Sequence, residues 1–270
     1  MMIEMKIARY LRNKLHQFHQ WCFGGWHICQ QLKNPWMYIL NHIFSKGSTH
    51  LLRYKNGLEM VFRAGTKDMM IHRELIGDND YIHFFNKEWK DFKRYIDLGA
   101  QTGVFTMQVA KNVPGAKIIS VEAEDKNFDI LAENIHRNNA HDQVTAIHAA
   151  IWSVTGKTIA LRIDKNNSGG HTVINDDPLN ETELVKTISL ADVVGNEEVD
   201  LMKIDIEGSE YEVLFSAPEN IFKQVLRMVI EVHHVDDERN VNTLKNFLWK
   251  KGYYVVHSHK IIYARKGRGF

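Results

Sequence analysis

From Arg94 onward, short apolar runs alternate with amphipathic ones, and this order restricts the fold more than any other feature of the chain. Tyr95-Ile96-Asp97-Leu98 is a strand-like run that ends in a glycine-containing loop, and residues 104–111 follow with helical character. Lys117-Ile118-Ile119-Ser120-Val121 is the next strand and stops at Glu122. Phe128, Leu131, Ala132 and Ile135 then fall at i, i+3, i+4 and i+7, one face of an amphipathic helix that ends at Asn138-Asn139. Val144-Thr145-Ala146-Ile147 is a third strand, and strands resume at 199–205 and 226–232. A helix near 242–251 and a strand pair, 253–256 and 261–264, complete the pattern. Alternation of this kind predicts a doubly wound α/β fold, a mostly parallel sheet with helices on both faces.

Upstream the character differs. Residues 1–46 read as helical, interrupted at Gly24-Gly25 and Asn34-Pro35. Two strand-like runs, 51–55 and 58–62, flank Asn56-Gly57, which predicts a hairpin with a type I′ turn. Helical stretches are expected at 67–76 and 80–92. The chain thus divides into a helical N-terminal segment (1–50), a hairpin with connecting helices (51–92) and a ligand-binding α/β domain (93–270). Residues 151–185 are less regular, with one strand at 157–163 and polar loops at 166–170 and 175–178. They are expected to form a lid or substrate-facing insertion.

The bulk composition excludes several classes. The 270 residues carry 34 Lys and Arg against 33 Asp and Glu, a balance that disfavours a protein built to hold a polyphosphate backbone. With only two cysteines, Cys22 and Cys29, a disulfide scaffold is ruled out and a reducing, cytoplasmic location is expected. Their spacing is a poor zinc signature, and two half-buried helix thiols are the expected outcome. Lys6, Arg9, Arg12 and Lys14 precede no apolar run, and no stretch is long enough to span a bilayer. The aromatic-rich segment 21–44 reads as a helical cap on the main domain, with peripheral membrane contact as the alternative.

In a doubly wound sheet, ligands bind beyond the carboxyl ends of the strands, where strand order reverses. The loop from Asp97 to Gly103 sits at such an end. Gly99 permits a sharp turn and leaves bare backbone for a ligand. Gly103 allows close entry into the next helix, whose free N–H groups can meet a carboxylate. Asp97 is placed to accept from the loop's N–H groups or from a ligand's ammonium. Glu122, at the end of the second strand, suits two ribose hydroxyls. Dinucleotide binding would require Gly-x-Gly-x-x-Gly, but position 101 is Gln. A phosphate-free nucleoside cofactor, S-adenosylmethionine (SAM), therefore matches better. The expected cofactor set is Asp97, Gly99, Ala100, Gln101, Thr102, Gly103, Glu122, Ala123, Ala149 and Asp205.

Four blocks together carry a specific resemblance: Tyr95 to Phe105, Val121 to Glu124 with Asn134 to Asn139, Met202 to Tyr211, and Ile230 to His233. In this order and spacing the chain resembles the FkbM family of SAM-dependent methyltransferases, over about residues 51–264. The block Lys203-Ile204-Asp205-Ile206-Glu207-Gly208-Ser209-Glu210 is the most distinctive. Gln101 stands where Asn is usual, and Ala123-Glu124 where Pro is common. The resemblance implies the seven-stranded class I methyltransferase sheet, SAM contacts from Asp97, Gly99, Gly103 and Glu122, and transfer mainly to hydroxyl oxygens of sugar, lipid-linked or other small acceptors.

Alternation along the fourth strand puts Lys203, Asp205 and Glu207 on one face if it stays extended. A lysine in a central strand needs a partner, and Glu231 on the fifth strand is the expected one. Asp205, Glu207 and His233 are the expected catalytic groups at the ligand edge. His233, with an ordinary pKa near about 6.5, would serve as base at neutral pH. Asp205 or Glu207 would do so if desolvated, or would hold a divalent cation that acidifies the hydroxyl, although no ligand pattern indicates a metal. Glu210 is expected merely to favour the dipole of its helix. Nucleic-acid amino-methyltransferases carry Asp/Asn-Pro-Pro-Tyr/Phe after this strand; Asp205-Ile206-Glu207-Gly208 has no proline, which disfavours an RNA substrate. A SAM-binding protein without turnover is the other alternative.

Overall fold

The computed structural model describes residues 26–73, 81, 85, 88–163 and 181–267. Its centre is a seven-stranded sheet. In chain order the first two strands of the molecule, β1 (Thr49–Arg53) and β2 (Glu59–Arg63), lie outside this sheet. The sheet contains β3 (Arg94–Leu98), β4 (Lys117–Glu122) and β5 (Val144–His148), then β9 (Leu201–Ile204), β10 (Arg227–Glu231), β11 (Tyr253–Ser258) and β12 (Ile261–Lys266). Between the two groups run β6 (Ala150–Trp152), β7 (Thr158–Ile163) and β8 (Glu181–Ser189). The order across the sheet is β11-β12-β10-β9-β3-β4-β5. Pairings from β10 through β5 are parallel, whereas β12 joins β10 and β11 antiparallel. The expected doubly wound, mostly parallel architecture is present.

Strand order reverses between β3 and β9, since the chain first winds from β3 to β5 and then returns to the opposite side. This opens a crevice beyond the carboxyl ends of these two strands. Period-two alternation divides the core. Ile96, Leu98, Met202, Ile204, Met228 and Ile230 face one layer, packed by Leu190–Val194, Glu210–Ser216 and Val241–Lys250. Tyr95, Leu201 and Val229 face the other, with Val104–Asn112 and the hairpin residues Leu52, Met60 and Phe62.

The hairpin departs from the expected turn. Asn56 keeps a negative φ and only Gly57, at +86°, is left-handed. Gly57 N–H donates to Tyr54 O and Tyr54 N–H to Leu58 O, which makes a three-residue loop with a glycine bulge. The Asn56 side chain instead accepts from Leu58 N at 3.0 Å. The outer edge of β2 is satisfied by side chains of the helix Asp125–Arg137 and its end: Asn134 Oδ1 accepts from Val61 N, and Asn138 Oδ1 from Glu59 N.

The 151–185 region is more regular than its composition predicts. Strands β7 and β8 pair antiparallel along their length, and β6 pairs parallel with β8. Its loops at 164–180 lie outside the described residues, as do Cys22 and residues 1–25. Within the stretches expected to be helical, a helix forms at Asp68–His72 and a 3-10 turn at Glu88–Asp91; residues 74–80, 82–84 and 86–87 lie outside the described residues. Cys29 is a half-buried free thiol. In the aromatic segment, Met37, Tyr38 and Phe44 pack on the core while Trp26, Trp36 and Ile43 stay exposed. Among the described residues no helix is long and apolar enough to cross a membrane.

Candidate functional site

The loop after β3 is shaped by two glycines that no other residue can replace without displacement. Gly99 has φ +74°, and a Cβ there would lie 1.8 Å from the Asp205 carbonyl oxygen. The loop after β3 and the end of β9 therefore touch backbone to backbone at the switch point. Gly103, at φ +82°, begins the helix Val104–Asn112, and its Cβ would meet Leu131 Cδ1 at 2.5 Å. Gly99 and Ala100 both donate to Val121 O at 3.0 Å, which pins the loop to β4.

Glu122 closes one end of the cavity formed here. Its Oε2 accepts from Gln101 N at 2.8 Å, and its Oε1 from Glu124 N at 3.0 Å and Asn127 Nδ2 at 3.3 Å. Burial pushes its carboxyl above the ordinary range, while these three donors oppose the shift. Gly99, Ala100, Gln101, Ala123, Ala149 and Asp205 line the same cavity. Asp97, Thr102 and Gly103 do not. Asp97 is fully buried and accepts from Lys203 Nζ at 3.1 Å and Thr106 Oγ1 at 2.7 Å, rather than from the loop's N–H groups. Thr102 turns its N–H and hydroxyl towards Gln101 Oε1.

Lys203 pairs with Asp97, which corrects the expected Lys203–Glu231 bridge. The β3–β9 register places Asp97 directly opposite Lys203, whereas the residue opposite on β10 is Val229. Glu231 lies two positions further along, at the strand end. The ammonium also donates to Gly99 O at 2.9 Å. Burial alone would lower the Lys203 pKa, but the charges of Asp97 and Asp205 win and hold it raised. Glu231 instead accepts from the Tyr81 hydroxyl at 2.6 Å, and the Tyr81 ring covers Lys203.

At the other end of the cavity Asp205 and Glu207 are part of the lining, and His233, which does not line it, converges on them, although β9 ends at Ile204. Glu207 takes φ +50°, which brings its carboxylate round to His233 Nε2 at 3.2 Å. His233 Nδ1 meets Glu210 Oε1 at 2.7 Å, and Glu210 is fully buried. Burial would depress the imidazole, but the hydrogen bond to Glu210 and the charges of Glu210, Glu207 and Asp205 lift it to about 9. That shift favours the protonated imidazole at neutral pH, whereas the ordinary pKa from which a base role was expected would favour the neutral one. Burial raises Glu207 to about 7 and Asp205 to about 6, against the opposing charges of His233 and Lys203. These carboxylates, not the imidazole, are poised to accept a proton near neutrality. The donor atoms of Asp205, Glu207 and His233 lie within 4.8 Å of one another. A divalent cation would use that spacing only by displacing the proton His233 carries.

A pH prediction arises directly. His233 binds its proton more tightly in the folded chain, so its contribution is complete below about pH 6.5 and is lost as pH rises towards 9. Unfolding free energy in urea is expected to fall between pH 7 and 9, and His233→Gln to flatten that slope. Equal slopes for the two proteins would refute the charged assignment.

Four contributors escaped the sequence reading. Glu210 reads as an ordinary first-turn acid, yet it is the partner that orients His233. Tyr81, Lys67 and Asn127 line the cavity from segments without motif character. The only signal for Asn127 was a buried polar residue early in an amphipathic helix.

A family described as the Methyltransferase FkbM domain matches residues 97–255, which span the loop, Glu122, Asp205 and His233. The chain belongs to this family. Methyltransferase sdnD of Sordaria araneosa is 27% identical over 168 residues, covering 50% of this chain and 64% of that protein. The chain therefore spans slightly under two thirds of that relative's length. Methyltransferase 1 of Beauveria bassiana (strain ARSEF 2860) is 23% identical over 208 residues, or 69% and 81% of the two chains. Among solved structures, Methyltransferase FkbM from Methylobacillus flagellatus KT aligns with TM-score 0.45 and 15% identity, covering 73% of this chain and 53% of its own.

Proposed function

We propose that this FkbM-family chain is an S-adenosylmethionine-dependent methyltransferase that methylates a hydroxyl oxygen of a small-molecule, sugar or lipid-linked acceptor. The observation that carries the reading is the charge of the cavity. Four carboxylates, Glu122, Asp205, Glu207 and Glu231, line it against Lys67 and Lys203. Such a lining favours a cationic ligand and opposes a pyrophosphate, and Glu122 at the end of β4 suits a nucleoside's ribose hydroxyls. When bound, SAM supplies an electrophilic methyl group on a positively charged sulfur.

The chain's own residues divide the remaining work. The bare backbone at Gly99 and the Ala100–Gln101 segment carry the nucleoside against Glu122. Asp97 acts at one remove, by holding Lys203 against Gly99 O. Asp205 or Glu207 takes the one proton that the acceptor hydroxyl loses as its oxygen is alkylated. His233, fixed by Glu210, orients the Glu207 carboxylate, and its charge opposes the rise that burial gives that carboxyl.

Glu122→Ala is expected to weaken S-adenosylhomocysteine binding by more than about tenfold, the loss of charge-assisted hydrogen bonds. Unchanged affinity by calorimetry would remove Glu122 from the nucleoside site. The function itself is tested by transfer from labelled SAM to a panel of sugar, polyketide and lipid acceptors. Failure of the folded protein to bind either SAM or its demethylated product would overturn the proposal. Binding with no transfer to any acceptor would leave the non-catalytic alternative.

A further inference from the structure

Strand β2 ends at Arg63 in a buried, forked ion pair. Arg63 donates through Nε to Asp68 Oδ2 and through Nη2 to Asp68 Oδ1, both at 2.9 Å, and Asp68 is fully buried. Neither residue lines the cavity. Their hydrogen bonds nevertheless lead into it from both sides. Arg63 Nη2 also donates to Asn127 Oδ1 at 2.6 Å, and this turns the Asn127 amide N–H towards Glu122 Oε1 at 3.3 Å. Asp68 Oδ1 accepts from Gln101 Nε2 at 3.4 Å, and Gln101 N donates to Glu122 Oε2 at 2.8 Å. One ion pair thus holds the residues that supply a donor to each oxygen of the same carboxylate.

The surrounding charges make such a holder necessary. Glu122 and Glu124 are both almost fully buried and, with Asp68, surround Arg63, whose charge all three stabilise. The guanidinium fixes the Asn127 amide by its oxygen, so that the N–H on the other side of the amide is held towards Glu122. A largely buried ion pair adds little net stability compared with apolar residues of similar volume, so stability alone does not account for the pair.

We propose that the Arg63–Asp68 pair is a positioning clamp for Glu122, which makes the N-terminal hairpin part of the cofactor-binding unit. The functional side of this inference rests on the reading of Glu122 as the nucleoside-binding carboxylate.

The test replaces the pair together, as R63M with D68L, so that neither member is left as the lone survivor of the pair. The paired variant is expected to fold with a lower melting temperature, because Glu122 and Glu124 lose a stabilising cation. It should bind S-adenosylhomocysteine about tenfold more weakly or worse, the usual scale for removing residues that orient a binding group. Hydrogen exchange should quicken in peptides covering 99–103 and 122–127. R63K keeps the charge but loses the fork, and should fall between the two; it also serves if the paired variant does not fold. R53M removes an exposed ion pair with Glu59 on the same hairpin and is the control, expected within about twofold of wild type. Wild-type affinity and exchange in a folded paired variant would overturn the clamp, as would equal losses from R53M. If the wild type binds no nucleoside, it is the Glu122 reading that fails, and exchange at 99–103 and 122–127 still decides the clamp.

Discussion

Gly99→Ala is expected to destabilise the protein by roughly 3 kcal/mol or more and to abolish measurable SAM binding. Two costs add. The left-handed φ of +74° strains any residue with a Cβ, and that Cβ would lie 1.8 Å from Asp205 O and 2.9 Å from its carbonyl carbon. The clashing atoms are backbone, so no side-chain rotation relieves them. Relief requires the β3 loop and the end of β9 to separate, and that movement displaces both Asp205 and the loop that faces Glu122. Urea unfolding and calorimetry with S-adenosylhomocysteine measure the two effects. A variant with wild-type stability and affinity would show that the loop and β9 are not in contact as described.

Lys203→Met is the second large effect. It leaves Asp97 fully buried, with Thr106 as its remaining hydrogen-bond donor and no counter-charge at 3.1 Å. Breaking one side of a buried pair costs about 3–5 kcal/mol, because the surviving charge is stranded. The double variant Lys203→Met with Asp97→Asn removes both charges and is expected to recover most of that loss. The two single variants and the double variant form a cycle whose coupling energy belongs to this pair. The same cycle run with Glu231→Gln is expected to give much weaker coupling, since Glu231 sits at the diagonal rather than opposite. A coupling of Lys203 to Glu231 larger than that to Asp97 would contradict the strand register.

Particular residues mark how far the sequence could be read. The short apolar runs at 95–98, 117–121 and 226–232 and the helical face of Phe128, Leu131, Ala132 and Ile135 were legible because burial on both faces of a parallel sheet leaves near-continuous apolar runs, and burial on one face of a helix leaves a period near 3.6. Strand β8 was not, since Glu181–Ser189 mixes charged and apolar residues at the margin of the structure, where one face meets water. Asn56-Gly57 announced a hairpin, but its turn type depended on whether Asn56 would spend its side chain on Leu58 N–H. His233 was legible as a residue of the site and illegible as a cation. Its protonation depends on Glu210, which is distant in sequence and unremarkable there.

The loop from Asp97 to Gly103 was legible in the sequence, because glycine takes the positive φ at Gly99 and Gly103 without strain, although the atoms that crowd them, Asp205 O and Leu131 Cδ1, come from distant segments. Its place at the mouth of a parallel sheet followed from strand–helix alternation, a local property. Which groups meet across that mouth was decided only by the tertiary structure. Strand register set Lys203 against Asp97 instead of Glu231, and the carboxylates of Glu210, Glu207 and Asp205 raise the His233 pKa against the burial that opposes it. Registers and desolvation arise between segments far apart in the chain, and no local pattern carries them.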